Sequence, residues 1–234
     1  TLAARFGIAA TGEALQLPLA EGVKHVRIRE LPEGARVETL VGPGGGAVLD
    51  GSGIALEIPP GALDRFVGVG LEAYPLDGLT VPLPPGLEAV AAASLDLGGA
   101  TLAVAASLSF PAVGGPAVEH LLVTPAEVGG DTRWRLVGAA APDGDRVTCA
   151  PSVRPDLPAP WVREGGVFVL ARPVADAWGL VSGTTLDVVG QPAHPAVVTA
   201  SSGLVQLTDP AGVYALAAPA GVVTLTAEDG LRNR

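Results

Sequence analysis

AVAAASLDLGGATLAVAASLSF, residues 89–110, decides the fold class. Two apolar-rich runs, Ala89–Leu97 and Thr101–Phe110, flank Gly98-Gly99. Both follow the period of two that marks a half-buried strand. A Gly-Gly pair between two such runs is a hairpin signal, because glycine supplies the positive φ of a tight turn. The expectation is two strands paired around Gly98-Gly99.

The same grammar recurs outward. Toward the N-terminus it predicts strands at Val23–Arg29 (VKHVRIR), Ala35–Leu40, Ala47–Leu49, Ile54–Ile58 and Val67–Tyr74. VGPGGG at 41–46 cannot hold regular structure and reads as a hinge or linker. LTVPLPPG at 79–86 reads as proline-stiffened loop. Toward the C-terminus, strands are expected at Leu121–Thr124, Trp134–Val137, Arg146–Cys149 and Val167–Ala171, with Asp143-Gly144 as a turn. Pro60–Arg65 and Pro173–Trp178 are the only helix candidates, each a turn or two long. Short strands separated by turn signals every 8–12 residues predict an all-β sandwich or barrel.

Composition narrows the function. Of 234 residues, 48% are hydrophobic, enough for a sizeable core, and 16% are charged, against about 25% in an average soluble domain. With 32 Gly and 22 Pro, breakers are too dense for a long helical bundle. The net charge is −10, and the few basic residues are scattered, so no nucleic-acid partner is expected. No 18-residue apolar run occurs, so no membrane insertion is expected either. The chain starts at Thr1 and holds no Met, which predicts a processed product or a fragment. Arg is favoured strongly over Lys, and Lys24 is the sole lysine. That bias suggests GC-rich coding and a bacterial source.

Two stretches carry family resemblances. Residues 44–74 run from a Gly-rich lead-in through the turn Asp50-Gly51-Ser52-Gly53 and the strand IALEI to IPPGAL at Ile58–Leu63. This resembles the ZU5 family of β-rich modules over about residues 44–112. The resemblance implies that Pro59-Pro60 stop a strand, Gly61 turns the chain, and Ala62 and Leu63 tuck one helical turn against a sheet. Some relatives cleave themselves at His-Phe-Ser. No such tripeptide occurs here, and that activity is not carried over. Residues 190–227, with TDPAGVYAL and PAGVVTLTA, are similar to carboxypeptidase regulatory-like and collagen-adhesin B-type repeats, which serve as scaffolds and spacers. There Asp209 and Gly212 are expected to turn, Tyr214 and Leu216 to face inward, Gly221 to turn again, and Val223 and Leu225 to pack.

The chemistry-bearing residues are few. His25, His120 and His194 lie far apart in sequence, and no G-x-S-x-G elbow occurs, so neither a triad nor a zinc site is indicated. Ser52 belongs to a turn. Cys149 is alone and cannot form an intrachain disulfide. Asp131, Asp143 and Asp145 are weak calcium-ligand candidates without the full acidic loop; solvated turns are the plainer reading. Trp134 alternates like a core residue, and Trp161 sits among prolines as a weak ligand-binding candidate.

The expected architecture is therefore all-β: small Ig-like or ZU5-like sandwich modules in series, at 1–43, 44–185 and 186–234. The first and last are too short to be complete modules, so strands such as Val23, Val26 and Ile28, or Val213, Ala215, Val223 and Leu225, are expected to pair within the chain or between copies. No enzyme and no cofactor is expected. The expected role is a non-catalytic structural module of a secreted, extracellular or cell-surface protein, a scaffold or a self-assembling filament subunit whose partner is itself or neighbouring modules. Two alternatives stand beside it: an adhesion module that binds glycan or protein through loops, and an autoprocessing protein.

Overall fold

A computed structural model describes residues 38–112, 119–174 and 178–229. Among them the fold is all-β, and the one helical element is a 3-10 turn at Leu76–Gly78. The strands are β1 (Glu38–Val41), β2 (Gly46–Leu49), β3 (Ala55–Ile58), β4 (Val67–Ala73), β5 (Leu87–Asp96), β6 (Ser107–Pro111), β7 (His120–Val128), β8 (Asp131–Asp143), β9 (Arg146–Cys149) and β10 (Gly166–Pro173). The C-terminal set is β11 (Trp178–Thr184), β12 (Ala196–Ala200), β13 (Leu204–Leu207), β14 (Val213–Pro219) and β15 (Leu225–Asp229).

The first ten strands form one path in the order β1-β4-β5-β10-β7-β8-β9-β6-β3-β2. Its two ends meet at an antiparallel bridge between Gly42 and Gly45. All ten send a side chain to one shared core, among them Val48, Leu56, Val69, Leu95, Leu108 and Leu170. The sheet is thus curled around that core, with β1 and β2 as the end strands of the path.

A second core lies on the outer face of β5, β10, β7 and β8. It joins Ala92, Val123, Trp134, Leu136 and Val169 to Val198, Leu204 and Leu216 from the C-terminal strands. β10 shows the reason in its residues: Phe168 and Leu170 point into the first core, Val169 and Ala171 into the second. A strand covered on both faces needs an unbroken apolar run rather than alternation, and VFVLA supplies one. The C-terminal strands are tied in by backbone as well. β13 runs parallel to β8, with Leu204 opposite Trp134 and Val205 opposite Arg135. β12 pairs with both β13 and β15, while β11 and β14 form a separate ribbon.

Several expectations are corrected. Sandwich modules in series are not seen: residues 186–229 share a core and a sheet with the strands before them. The Gly98-Gly99 turn forms, with the Ala100 amide donating to the Leu97 carbonyl at 3.0 Å, yet the strands beside it do not pair. β5 lies between β4 and β10, and β6 between β3 and β9. The intervening residues are held elsewhere, by Leu102 N–H to the Arg163 carbonyl (2.7 Å) and Ala106 N–H to the Val162 carbonyl (2.8 Å), and they carry the chain across the core. VGPGGG is no hinge but the tight β1–β2 turn, with Gly45 N–H bonded to the Gly42 carbonyl. IPPGAL buries Ala62 and Leu63 as expected, but through turns rather than a helical turn. Pro173 and Trp178 belong to strands β10 and β11, and the residues between them fall partly outside the described ones.

Because the second core is shared, Leu216→Ala, in the C-terminal part, is expected to destabilise the whole unit by about 2–5 kcal/mol. The readout is the fluorescence of Trp134, from β8, in a background where Trp161 and Trp178 are replaced by Phe. One transition with a lowered midpoint is expected. A Trp134 transition unmoved by the substitution contradicts a shared core.

Candidate functional site

The polar side chains of the described residues converge on turns. Three turns share one pattern, Asp-x-x-Gly, at Asp50–Gly53, Asp187–Gly190 and Asp209–Gly212. In each the Gly amide bonds back to the Asp carbonyl, and the Asp amide donates to the carbonyl four residues on. In each an Asp Oδ1 accepts from the amides two and four residues on: Ser52 and Ile54 at 3.0 and 2.7 Å, Val189 and Gln191 at 2.9 and 2.8 Å, Ala211 and Val213 at 2.9 and 2.8 Å. The glycines hold φ of 92°, 82° and 75°, a region that strains any residue with a Cβ. All three are Asx turns; Asp50 closes the β2–β3 hairpin, while Asp187 and Asp209 turn the chain between strands that do not pair with each other.

This arrangement settles what Ser52 does. Its hydroxyl donates to Asp50 at 2.7 and 2.8 Å, and the other carboxylate oxygen also accepts the Ala73 amide from the end of β4 at 3.0 Å. The carboxylate is occupied as a backbone clamp between two hairpins, which is the turn expected from sequence. Arg146 completes the clamp: its guanidinium donates to the Gly53 carbonyl at 2.6 Å and to Ser109 Oγ at 3.0 Å.

Asp131, Asp143 and Asp145 do not come together. Asp131 opens β8 and Asp143 closes it, so they stand roughly 40 Å apart along an extended strand. Asp131 pairs with Arg133 at 3.5 Å, and Asp143 and Asp145 flank the exposed β8–β9 turn. The calcium reading that groups them is thereby corrected, and no group of three or more His, Cys, Asp or Glu suited to a metal is found among the described residues.

Trp134 is buried, with its indole N–H donating to the Pro82 carbonyl at 2.9 Å. Trp161, the ligand candidate, is half-buried and packs against the first core. A Cβ at position 138 would sit 2.5 Å from its ring, so only glycine leaves room for the indole there. Its own φ is +53°, and its amide donates to the Val137 carbonyl at 2.9 Å. Trp178 packs on the second core beside Gly86. The three indoles thus serve packing at separate places rather than one platform.

Of the assembly residues, Val23, Val26 and Ile28 lie outside the described residues. Val213 and Ala215 pair with Thr184 and Ser182 of β11, Leu225 pairs with Ala200, and Val223 packs on the second core. Tyr214 and Leu216 face inward as expected, and Asp209 with Gly212 makes the turn. The Asp187 turn escaped the sequence reading, although Asp-Val-Val-Gly repeats the spacing of the other two. His120 is buried and His194 Nδ1 lies 2.8 Å from the Thr208 carbonyl.

Shallow clefts lie elsewhere among the described residues. One, about 560 Å³, runs over IPPGAL between Glu57, Pro59, Val104 and Ser152. Another, about 450 Å³, lies between Asp96, Thr101 and Glu164. At the β8–β13 seam, Arg135 Nε and Gln206 Oε1 are buried without a hydrogen-bond partner, a cost the apolar packing beside them must offset.

No family model matches this chain, and no curated protein does. No helix among the described residues is long and apolar enough to cross a membrane.

One titration and one labelling experiment check the electrostatics. Arg154 holds Asp156 at 3.0 Å and Glu119 at 2.8 Å, pinning the 150–160 loop to the start of β7. The Arg154 hydrogen bonds lower the Asp156 pKa below its ordinary value, and Asp156 and then Glu119 push the guanidinium further up. The folded value is the lower one, so this contribution is present above the ordinary carboxyl pKa and disappears as pH falls through the depressed one. In an NMR titration Arg154→Ala is expected to return Asp156 upward; no movement contradicts the pairing. Burial pushes the Cys149 thiol well above its ordinary pKa. A thiol reagent is therefore expected to label Cys149 only on unfolding, and fast labelling of the native protein contradicts that burial.

Proposed function

We propose that the chain is a non-catalytic structural module of a secreted or surface-displayed bacterial protein, a scaffold joined to further copies or neighbouring modules by β-strand addition. The observation that carries this reading is β10, sealed between two apolar cores while acidic side chains brace backbone turns. Such a unit resists deformation because each layer buries the face of the next. Loops tied down by Asx turns, by Arg146 and by Arg154 add stiffness rather than an adaptable binding surface. The ZU5-like and regulatory-like resemblances favour the same role, since modules of those kinds space or display others. Adhesion through Trp161 is less favoured, because its ring is engaged with Gly138. Autoprocessing through Ser52 is disfavoured by the clamp role of Asp50.

Negative-stain imaging of the native protein across a concentration series, with its intact mass, tests this. Ordered oligomers of uncleaved chain are expected. A chain that stays monomeric at high concentration overturns the assembly reading, and a mass that shows self-cleavage overturns the non-catalytic one.

A further inference from the structure

Strand addition needs an edge. Among the described residues, β1, β2, β11, β14 and β15 each pair with only one other strand. β1 carries Glu38, and β2, uncharged, is only four residues long and is tied to β1 by the Gly42–Gly45 turn. β14 is closed off, since Ala215, Leu216, Ala217 and Ala218 are buried. β15 ends in Glu228 and Asp229, and carboxylates on an edge repel a like strand. β11 differs from the rest. Its seven residues, WGLVSGT, carry no charge and no proline, and its side chains are half-buried or exposed throughout. One side of β11 is paired along its full length, Trp178 opposite Pro219 through Thr184 opposite Val213. On the other side, no strand among the described residues pairs with it.

We propose that this edge is an interaction surface whose partner is the same edge of a second copy of the chain. The inference rests on the strand-addition reading above and names its site. The occupant follows from charge. With a net −10 on each chain, two copies repel wherever their acidic surfaces meet, and an uncharged strand is where they can approach. Antiparallel pairing about a two-fold axis centred on Val181 overlaps the whole strand. It sets Val181 against Val181, Leu180 against the second copy's Ser182, and Trp178 against its Thr184. No like charges face each other across that seam, whereas charge directly opposite charge destabilises a ladder. The ribbon becomes a four-stranded sheet, β14-β11-β11-β14, and the contact closes as a dimer.

Sedimentation velocity on the whole chain tests it. The wild type is expected to form dimers as concentration rises. Val181→Lys places two ammonium groups opposite each other and is expected to weaken dimerisation by about tenfold or more. Mixing Val181→Lys with Val181→Glu is expected to restore a dimer containing one of each. Ser182→Lys, at an exposed position, is a second variant that leaves folding intact should the first not fold, with the same loss expected. A wild type that assembles while both lysine variants assemble equally overturns this edge and leaves the strand-addition reading standing. A wild type that stays monomeric at every concentration overturns both.

Discussion

Burial of β10 on both faces is the constraint from which the rest of the architecture follows. A strand with Phe168 and Leu170 on one side and Val169 and Ala171 on the other is stable only if two apolar layers exist. The rolled ten-strand path supplies the inner one. It cannot supply the outer one, because Val123, Leu136 and Val169 project away from its interior. Residues 186–229 meet that need, and the apolar area they cover belongs equally to both sequence halves. Removing either side would return several large side chains to water, at about 1.5–3 kcal/mol each. Cooperativity across the chain is therefore a consequence of β10's composition rather than of any single bond.

The polar groups follow the same logic. The parallel seam between β13 and β8 is only two residue pairs long, and it leaves Arg135 Nε and Gln206 Oε1 without partners. Hydrogen bonding there is a poor source of adhesion between the layers. Val198, Leu204 and Leu216 against Trp134 and Leu136 are the better one. Hydrogen bonds do a different task at the periphery. Asp50, Asp187 and Asp209 each reverse the chain in a tight turn, and Arg146 and Arg154 tie distant segments of the chain together. Apolar burial holds the layers, and carboxylates and guanidinium groups fix the turns.

Local signals in the sequence were legible where their cause is local. The Asp-x-x-Gly turns at 50 and 209, the buried Ala62 and Leu63, the inward Leu216 and the packed Trp134 all depend on a few neighbouring residues. The pairing of strands is another matter. Gly98-Gly99 makes its turn, but whether the flanking strands zip together depends on what Leu102 and Ala106 meet, and they meet Arg163 and Val162, some sixty residues away. The same limit hid the unity of the chain. VFVLA at 167–171 does say that both faces of a strand are covered, yet nothing nearby says by what. Periodicity reports which side of a strand is buried and is silent on the identity of the covering layer.

That silence bears on how the chain ends its sheets. An all-β unit rich in small apolar residues and poor in lysine has weak protection against edge-to-edge association. Curling the first ten strands around one core leaves the inner layer only the short end strands β1 and β2, which the Gly42–Gly45 turn joins. The outer layer cannot roll, because it must lie flat over β5, β10, β7 and β8 to cover them. It therefore keeps edges by construction. One of these carries Glu228 and Asp229, the usual device against a stray strand. The other, β11, holds neither charge nor proline along seven residues, although Asp and Glu are plentiful elsewhere in the sequence. Charge guards one of these edges and is absent from the other, so the two differ in what each can accept beside it.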